Sequence, residues 1–444
     1  MLMVQGRPSM KSIAFILLAA PVILLQTSHA QDPLPQARMD VKTLSSQAMH
    51  GRGYVLDGLT RAGEYIEKRF RRIGLQPIHG TYEQTFAVKV NTFALPPRLS
   101  VDREQLILGK DFLPYATSGS GKGDGNTNII FVGSGLYLPS RQINDYADVN
   151  GRGAILILDE GIPDSIRQDT TVDHRLLTKG ARITLAEIQQ PSAIVFLVDK
   201  VTFASPNERE LVPIFDVVKS KIPSHPDSIS FAVTSSLDTH QSRNIVGSLA
   251  GTSGTDSTFV LCAHYDHLGA FADSLYFPGA NDNASGTAML LALAKFFGTH
   301  PPRTSIVFLA ASGEEEGLVG SRYYADHPLN DLTKTKYVLN FDVVASGDGG
   351  IMVVGGENYP GAFTNMTALA DSLHIHPLWK RPSVPNSDQY SFFEKGVESF
   401  FFYTLNGTQP YHRFDDVPGT LDWTPFMHVF ELSAAFIQKT DGRP

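Results

Sequence analysis

From Arg243 onward, short and almost uninterrupted apolar runs alternate with longer helical stretches. Residues 259–263, 305–310, 337–341 and 397–403 are apolar at nearly every position. Residues 284–297, 317–325 and 426–438 carry helical patterning. A strand that is apolar on both faces must be buried on both faces, which requires a largely parallel sheet with helices above and below it. The pattern therefore predicts an α/β fold, a mixed sheet sandwiched between helices. With 444 residues, 42% hydrophobic and 18% charged, the chain can build a large core and is not a disordered one.

The remaining segments read differently. Residues 60–73 predict an amphipathic helix, with Ala62, Tyr65, Ile66, Phe70 and Ile73 on one face and Gly74 as its stop. Residues 82–90 alternate like a half-buried strand. Between about 96 and 235 short strand-like runs (129–132, 154–158, 193–198) are separated by Gly, Ser and Pro turns, which predicts an inserted β-rich domain. Its Gly119-Ser120-Gly121-Lys122-Gly123 run lacks the Ser or Thr after lysine that a phosphate loop requires. The catalytic-type fold is thus expected over 31–95 and 236–444. Residues 1–30 read as a secretory signal peptide. Lys11 precedes the apolar run 13–25, and Ser28 and Ala30 place small residues at −3 and −1. Expected location is therefore secreted or periplasmic, with Met1 or Met10 as the start.

Several function classes are disfavoured early. A net charge of −8 argues against a nucleic-acid partner. No run after the first thirty residues reaches eighteen apolar positions, so no membrane helix and no membrane partner is expected. The single cysteine, Cys262, rules out an internal disulfide or a CxxC metal motif, and its place inside an apolar strand predicts a buried, inert thiol. Neither HExxH nor GxSxG occurs.

In sheets of this kind ligands sit beyond the carboxyl ends of the strands. The residues found there are His264, Asp266 and His267 after the first strand, Glu314 to Glu316 after the second and Asp342 after the third. Tyr411-His412 follow the fourth, and Asp282 precedes the helix expected near Ala284. Imidazole and carboxylate together suit zinc. Two histidines and three carboxylates exceed the ligand set of one tetrahedral ion and fit a pair about 3.5–4 Å apart with a shared carboxylate. Asp282 suits that bridge, because the helix after it would favour an anion. Asp266, two residues from His264, suits an orienting acid. Adjacent glutamates repel and need nearby cations; one can ligate while the other serves as general base. His267, on an extended strand, would face away from His264, which predicts a structural or substrate-side role. Asp415 and Asp416 would orient His412 or cap its loop.

The runs Ala263-His264-Tyr265-Asp266-His267-Leu268-Gly269, Pro278 to Gly286 and Gly313 to Ser321 resemble the secreted di-zinc aminopeptidases and glutamate carboxypeptidases of metallopeptidase family 28. So do Asn340-Phe341-Asp342, Ser387-Asp388 and Tyr411 to Asp416, in the same order, and the resemblance covers about residues 240–430. It implies the zinc exopeptidase (phosphorylase/hydrolase-like) fold and two Zn2+. It implies His264, Asp282, Glu315, Asp342 and His412 as ligands, with Asp282 bridging. Glu314 would be the general base, Asp266 the orienting acid and Tyr411 a phenol near the oxyanion, with Glu316 spare. Relatives with an insert here often carry a protease-associated domain. The implied function is a secreted aminopeptidase that hydrolyses peptides with a free N-terminus through an activated water. A glutaminyl cyclase-like transferase, a carboxypeptidase or dipeptidase of the same fold, and a non-catalytic binding ectodomain remain alternatives. Side-chain preference and oligomeric state are not legible.

Overall fold

The protein is described here as a computed structural model, for residues 32–407 and 410–442. The signal-peptide expectation falls on residues 1–30, outside the described residues.

A nine-stranded mixed sheet forms the centre. Its four middle strands are, in spatial order, Ser305–Ala311, Thr258–His264, Thr335–Phe341 and Ser399–Thr404, and all run parallel. Their carboxyl ends therefore lie along one edge. Strand Ser236–Leu249 pairs antiparallel with Ser305–Ala311 on one side and Glu83–Thr92 on the other. Beyond Ser399–Thr404 lie Ile351–Val354 and Leu378–Arg381.

Burial follows the alternation of the strands. Phe259, Leu261 and Ala263 join a core with Ile306, Phe308 and Ala310, packed by helices Leu34–Leu44, Gly58–Ile73, Gly286–Thr299 and Trp423–Thr440. Val260 and Cys262 face the opposite core with Val307, Leu309, Tyr324 and Phe392, beneath helices Val319–Asp326 and Gln389–Phe393. Both faces are covered, as continuous apolar strands require. Helix Gly58–Ile73 ends at Gly74, whose φ of 93° allows its N–H to cap Phe70 and Arg71.

Several elements escaped the sequence pattern, helices Leu34–Leu44 and Pro360–Leu373 among them. Ile351–Val354 and Leu378–Arg381 are four residues each, too short for a periodicity to show. Ser236–Leu249 is partly polar because much of it pairs at the exposed end of the sheet. The helix after Asp282 also starts later than expected, at Gly286. Residues Ala280–Ser285 form a wider turn before it, and the Asp282–Asn283 peptide is cis.

Residues 98–233 carry a further two-stranded sheet, Tyr137–Leu138 with Ile143–Asn144, and two larger ones. One holds Phe112–Pro114, Ile214–Val218, Ala193–Val198, Ile155–Asp159 and Ile129–Gly133, in that order, and only its Phe112–Pro114 edge is antiparallel. Helix Lys179–Ile188 accompanies it. The other is antiparallel and includes Gly121–Asp124, so the Gly-Lys-Gly run is strand, not phosphate loop. Their shared core takes in Leu268, Phe271 and Phe277, which belong to the loop after His267.

Candidate metal centre

The parallel strands deliver the side chains. His264 ends its strand, Asp342 follows Phe341, and Glu314 and Glu315 follow the strand that ends at Ala311. His412 sits in the loop after Ser399–Thr404, with φ 57°. Asp282 reaches in from the turn before helix Gly286–Thr299. His264, Asp282 and Asp342 are buried.

Asp282 lies between two half-sites. Its Oδ1 is 3.6 Å from His264 Nε2, which is itself 3.4 Å from Asp342 Oδ1. Its Oδ2 is 3.2 Å from His412 Nε2, which is 3.2 Å from Glu315 Oε2. Metal–ligand distances of about 2.0–2.1 Å in a tetrahedron imply ligand–ligand edges of about 3.3 Å. Asp282 Oδ2 and Asp342 Oδ1 are buried oxygens that face imidazole Nε2 atoms at 3.2 and 3.4 Å and have no other donor among the described residues. Facing imidazole nitrogens at such spacing, they fit divalent ions shared between them.

The partners of these side chains leave the inward atoms free. His412 Nδ1–H donates to the Phe203 carbonyl at 2.9 Å, which turns Nε2 inward. His264 Nδ1 is 3.3 Å from the Asp266 carbonyl and 3.6 Å from its Oδ1, so Asp266 stands behind that ring. Asp266 Oδ2 also accepts from Glu315 N–H at 3.2 Å. The Ser387 hydroxyl donates to Asp342 Oδ2 at 2.8 Å and accepts from Asn340 Nδ2 at 2.8 Å, which leaves Asp342 Oδ1 for the His264 side.

The electrostatics demand positive charge. Burial opposes a charged His264, yet Asp342, Glu314 and Asp266 outweigh it and hold its proton affinity well above the ordinary imidazole value. His412 is likewise resisted by burial and pushed up to about 11 by Glu315 and Asp282. Burial raises Glu315, but His412 and His267 win and hold it well below the usual carboxylate range. Glu314 goes the other way: burial, then Asp342, Glu315 and Asp388, keep it well above that range despite His264. Two neighbouring glutamates are thus driven apart, one an anion beside the imidazoles and one ready to hold a proton.

Other expectations need correction. The strand ends at His264, so alternation does not extend to His267. That ring turns into the cluster, with Nδ1 2.7 Å from Glu315 Oε1 and 4.0 Å from Asp282 Oδ1. The shorter distance is a direct hydrogen bond, which makes His267 a donor that orients Glu315. Asp282 lies four residues before its helix, so the dipole does little for it. Instead Asp416 Oδ2 accepts from Asp282 N–H at 3.0 Å, and its two oxygens accept from Asn281 N–H at 2.9 and 3.1 Å. Asp416 therefore anchors the Asp282 turn, not His412, while Asp415 pairs with Arg413.

Glu316, expected to be the spare acid of the run, is not solvated. It is buried, accepts from the Ser205 hydroxyl and, at 3.2 Å, from Tyr54 Oη, and burial next to Asp266 raises it well above the carboxylate range. Tyr411 stacks on His412 with centroids 3.8 Å apart and remains 55% exposed, at the solvent side of the cluster. The Cys262 thiol is fully buried and pushed up by that burial.

The fold and cluster together define an α/β protein with a buried imidazole–carboxylate cluster, at the carboxyl edge of its sheet, that could hold a divalent metal. Residues 244–437, the part of the chain that carries this whole donor set, match the model of Peptidase family M28. A probable zinc metalloprotease of Pyricularia oryzae is 40% identical over 111 residues, 24% of this chain and 22% of that protein. A probable leucine aminopeptidase 2 of Aspergillus oryzae is 31% identical over 192 residues, 40% of this chain and 36% of that protein. The chain thus spans well under half the length of the curated relatives it matches. Among solved structures, a zinc aminopeptidase from Bacillus subtilis has a TM-score of 0.70 at 19% identity, covering 91% of this chain and 95% of that one. An aminopeptidase from Aneurinibacillus sp. strain AM-1 has a TM-score of 0.65 at 18% identity, over 91% and 93%. At these identities the likeness is one of fold.

Proposed function

We propose that this chain is a secreted zinc-dependent exopeptidase, acting as an aminopeptidase on peptides with a free N-terminus. The observation that carries the reading is Asp282, whose two oxygens each face a different imidazole–carboxylate pair. His264 and Asp342 would hold one zinc ion, Glu315 and His412 the other, and Asp282 both. The match of residues 244–437 to a peptidase family model and the names of the relatives support peptide hydrolysis over the cyclase and binding readings. Secretion rests on the pattern of residues 1–30 alone.

Zinc bound there would lower the pKa of water to roughly 7 and polarise a carbonyl. The rest falls to this chain's own side chains. Glu314 stands within the cluster of His264 and Glu315 but is bonded to neither, so its carboxylate is free to take a proton from the attacking water and pass it to the leaving amine. Its raised proton affinity suits the holding of that proton between the two transfers. His267 and Asp266 keep Glu315 in place, the first through its carboxylate and the second through its backbone N–H. Tyr411, beside His412, can donate its hydroxyl to the developing oxyanion.

The test is a panel of short peptides with free and blocked ends, including N-terminal Gln, each with and without a chelator. Chelator-sensitive release of the first residue, abolished by N-terminal blocking, is the expected result. Release from the C-terminus would overturn the aminopeptidase reading, and ring closure of N-terminal Gln without cleavage would replace it with a cyclase.

A further inference from the structure

Arg52 is one of the largest fully buried side chains in the described protein, and it has no carboxylate in contact. Its guanidinium spends all its donors on backbone carbonyls. Nε donates to Tyr265 at 2.8 Å. Nη1 donates to Leu44 at 2.9 Å and Pro278 at 2.7 Å. Nη2 donates to Gly279 at 2.9 Å and Asp282 at 3.2 Å. Tyr265 follows His264 directly, and Pro278 to Asp282 form the turn that carries the bridging-type carboxylate. One planar group therefore ties the His264 loop to the Asp282 turn.

The local backbone is built to bring it there. Arg52 itself has φ 51°, between Gly51 at φ 65° and Gly53. A Cβ at Gly51 would stand 2.1 Å from the Gly269 carbonyl, and one at Gly53 2.4 Å from Gly269 Cα. Gly269 N–H donates to Gly51 O at 3.0 Å and His267 N–H to Arg52 O at 3.2 Å. Residues 51–53 thus lie flat against the loop 265–269 and pin it from behind. The second grip on the Asp282 turn, Asp416, holds the N–H groups of Asn281 and Asp282 while Arg52 holds the carbonyls on both sides of them.

A buried cation without a salt bridge costs several kcal/mol unless something compensates. Here the compensation is the anionic cluster. Burial lowers the Arg52 proton affinity to about 10, while Asp282, Asp416, Asp266 and Glu315 support its charge. It remains a cation at neutral pH.

We propose that Arg52 is a positioning residue for the metal centre. By fixing the Tyr265 carbonyl and the Pro278–Asp282 turn together, it sets the distance between His264 and the two oxygens of Asp282, and hence the spacing of the two ion positions. The inference rests on the proposed zinc centre. Lysine could keep the charge but, with three donors on a single nitrogen, cannot span both loops.

The experiment is a zinc titration of the full chain by calorimetry with chelator competition, on wild type, Arg52→Lys and Arg52→Met, alongside Tm and circular dichroism. Folded Arg52→Lys should bind zinc about 10–100-fold more weakly in at least one step, the scale seen when groups that orient ligands are lost. Arg52→Met should be weaker still. Zinc affinities equal to wild type in folded variants would overturn the proposal, even if Tm fell, because that pattern marks a purely structural role. Failure of both variants to fold would assign Arg52 to folding and equally overturn it. If the wild type itself binds no zinc, the proposed function fails first, which separates the two outcomes.

Discussion

At the scale of single residues, chemistry here comes from opposed environments for like groups. Glu314 and Glu315 are neighbours in sequence, yet imidazoles claim Glu315 and the surrounding acids keep Glu314 prone to protonation. Substituting Glu314→Gln should leave zinc bound and lower kcat by roughly 100-fold or more, the scale of general-base catalysis; unchanged turnover in the zinc-loaded variant would remove Glu314 from that role. The imidazoles make a second prediction. Without metal His412 is held up to about 11, so it carries a proton at pH 7, and the acids around His264 push it in the same direction. Ligation requires neutral imidazole, so zinc uptake at pH 7 should release at least one proton, and apparent affinity should rise as pH rises. Calorimetry in buffers of different ionisation enthalpy measures that number, and a value of zero would contradict the protonated state. Residue types were legible at this scale; their partners were not. Asp416 and Ser387 act through a turn and a serine–asparagine pair that are 134 and 45 positions away from what they orient. Nothing in a single sequence marks such distances.

At the scale of elements, close approach decides which side chains meet. The helix that follows Asp282 begins with Gly286, where a Cβ would stand 2.1 Å from the Phe341 carbonyl, directly before Asp342. The helix start and the end of the Asp342 strand touch through backbone. Gly286→Ala should therefore cost about 1–3 kcal/mol, as overpacking does, and lower Tm in thermal denaturation. Gly361, in helix Pro360–Leu373 with open space around it, is the control: Gly361→Ala should leave Tm unchanged or raise it slightly. Equal losses at both would show that the contact is not what matters. Strands 258–264, 305–311 and 335–341 were visible as apolar runs because both their faces are buried. The helix dipole expected behind Asp282 is not there: the run 280–286 looks like a helix start, while its turn is shaped by Asp416 and Arg52.

At the scale of the whole molecule, residues 98–233 reach the site through one strap. The Phe203 carbonyl accepts a hydrogen bond from His412 Nδ1–H, the Phe203 N–H donates to the His412 carbonyl at 3.3 Å, and the Ser205 hydroxyl donates to Glu316. The Phe203 ring packs between Phe271 and Phe277, with centroids at 5.1 and 5.2 Å. Phe203→Ala should cost about 3–5 kcal/mol by cavity formation. It should also weaken zinc binding, because without the ring's packing the backbone carbonyl that fixes the His412 tautomer is no longer held in place. Loss of stability with wild-type zinc affinity would show that the strap only packs.

The sequence alone determined the α/β sheet and the edge where the ligands gather. Two-sided burial forces continuous apolar strands, and ligands in such sheets bind beyond the carboxyl ends of the parallel strands. It also supplied the donor types, since imidazole and carboxylate chemistry is a property of the residue. Only the tertiary structure decided how they are held: that Asp282 faces two ways, that His267 turns inward, that Glu316 is buried and that Arg52 cinches two loops. Those outcomes depend on backbone carbonyls and N–H groups brought together by folding. Every residue carries such groups, so they leave no mark in composition or spacing.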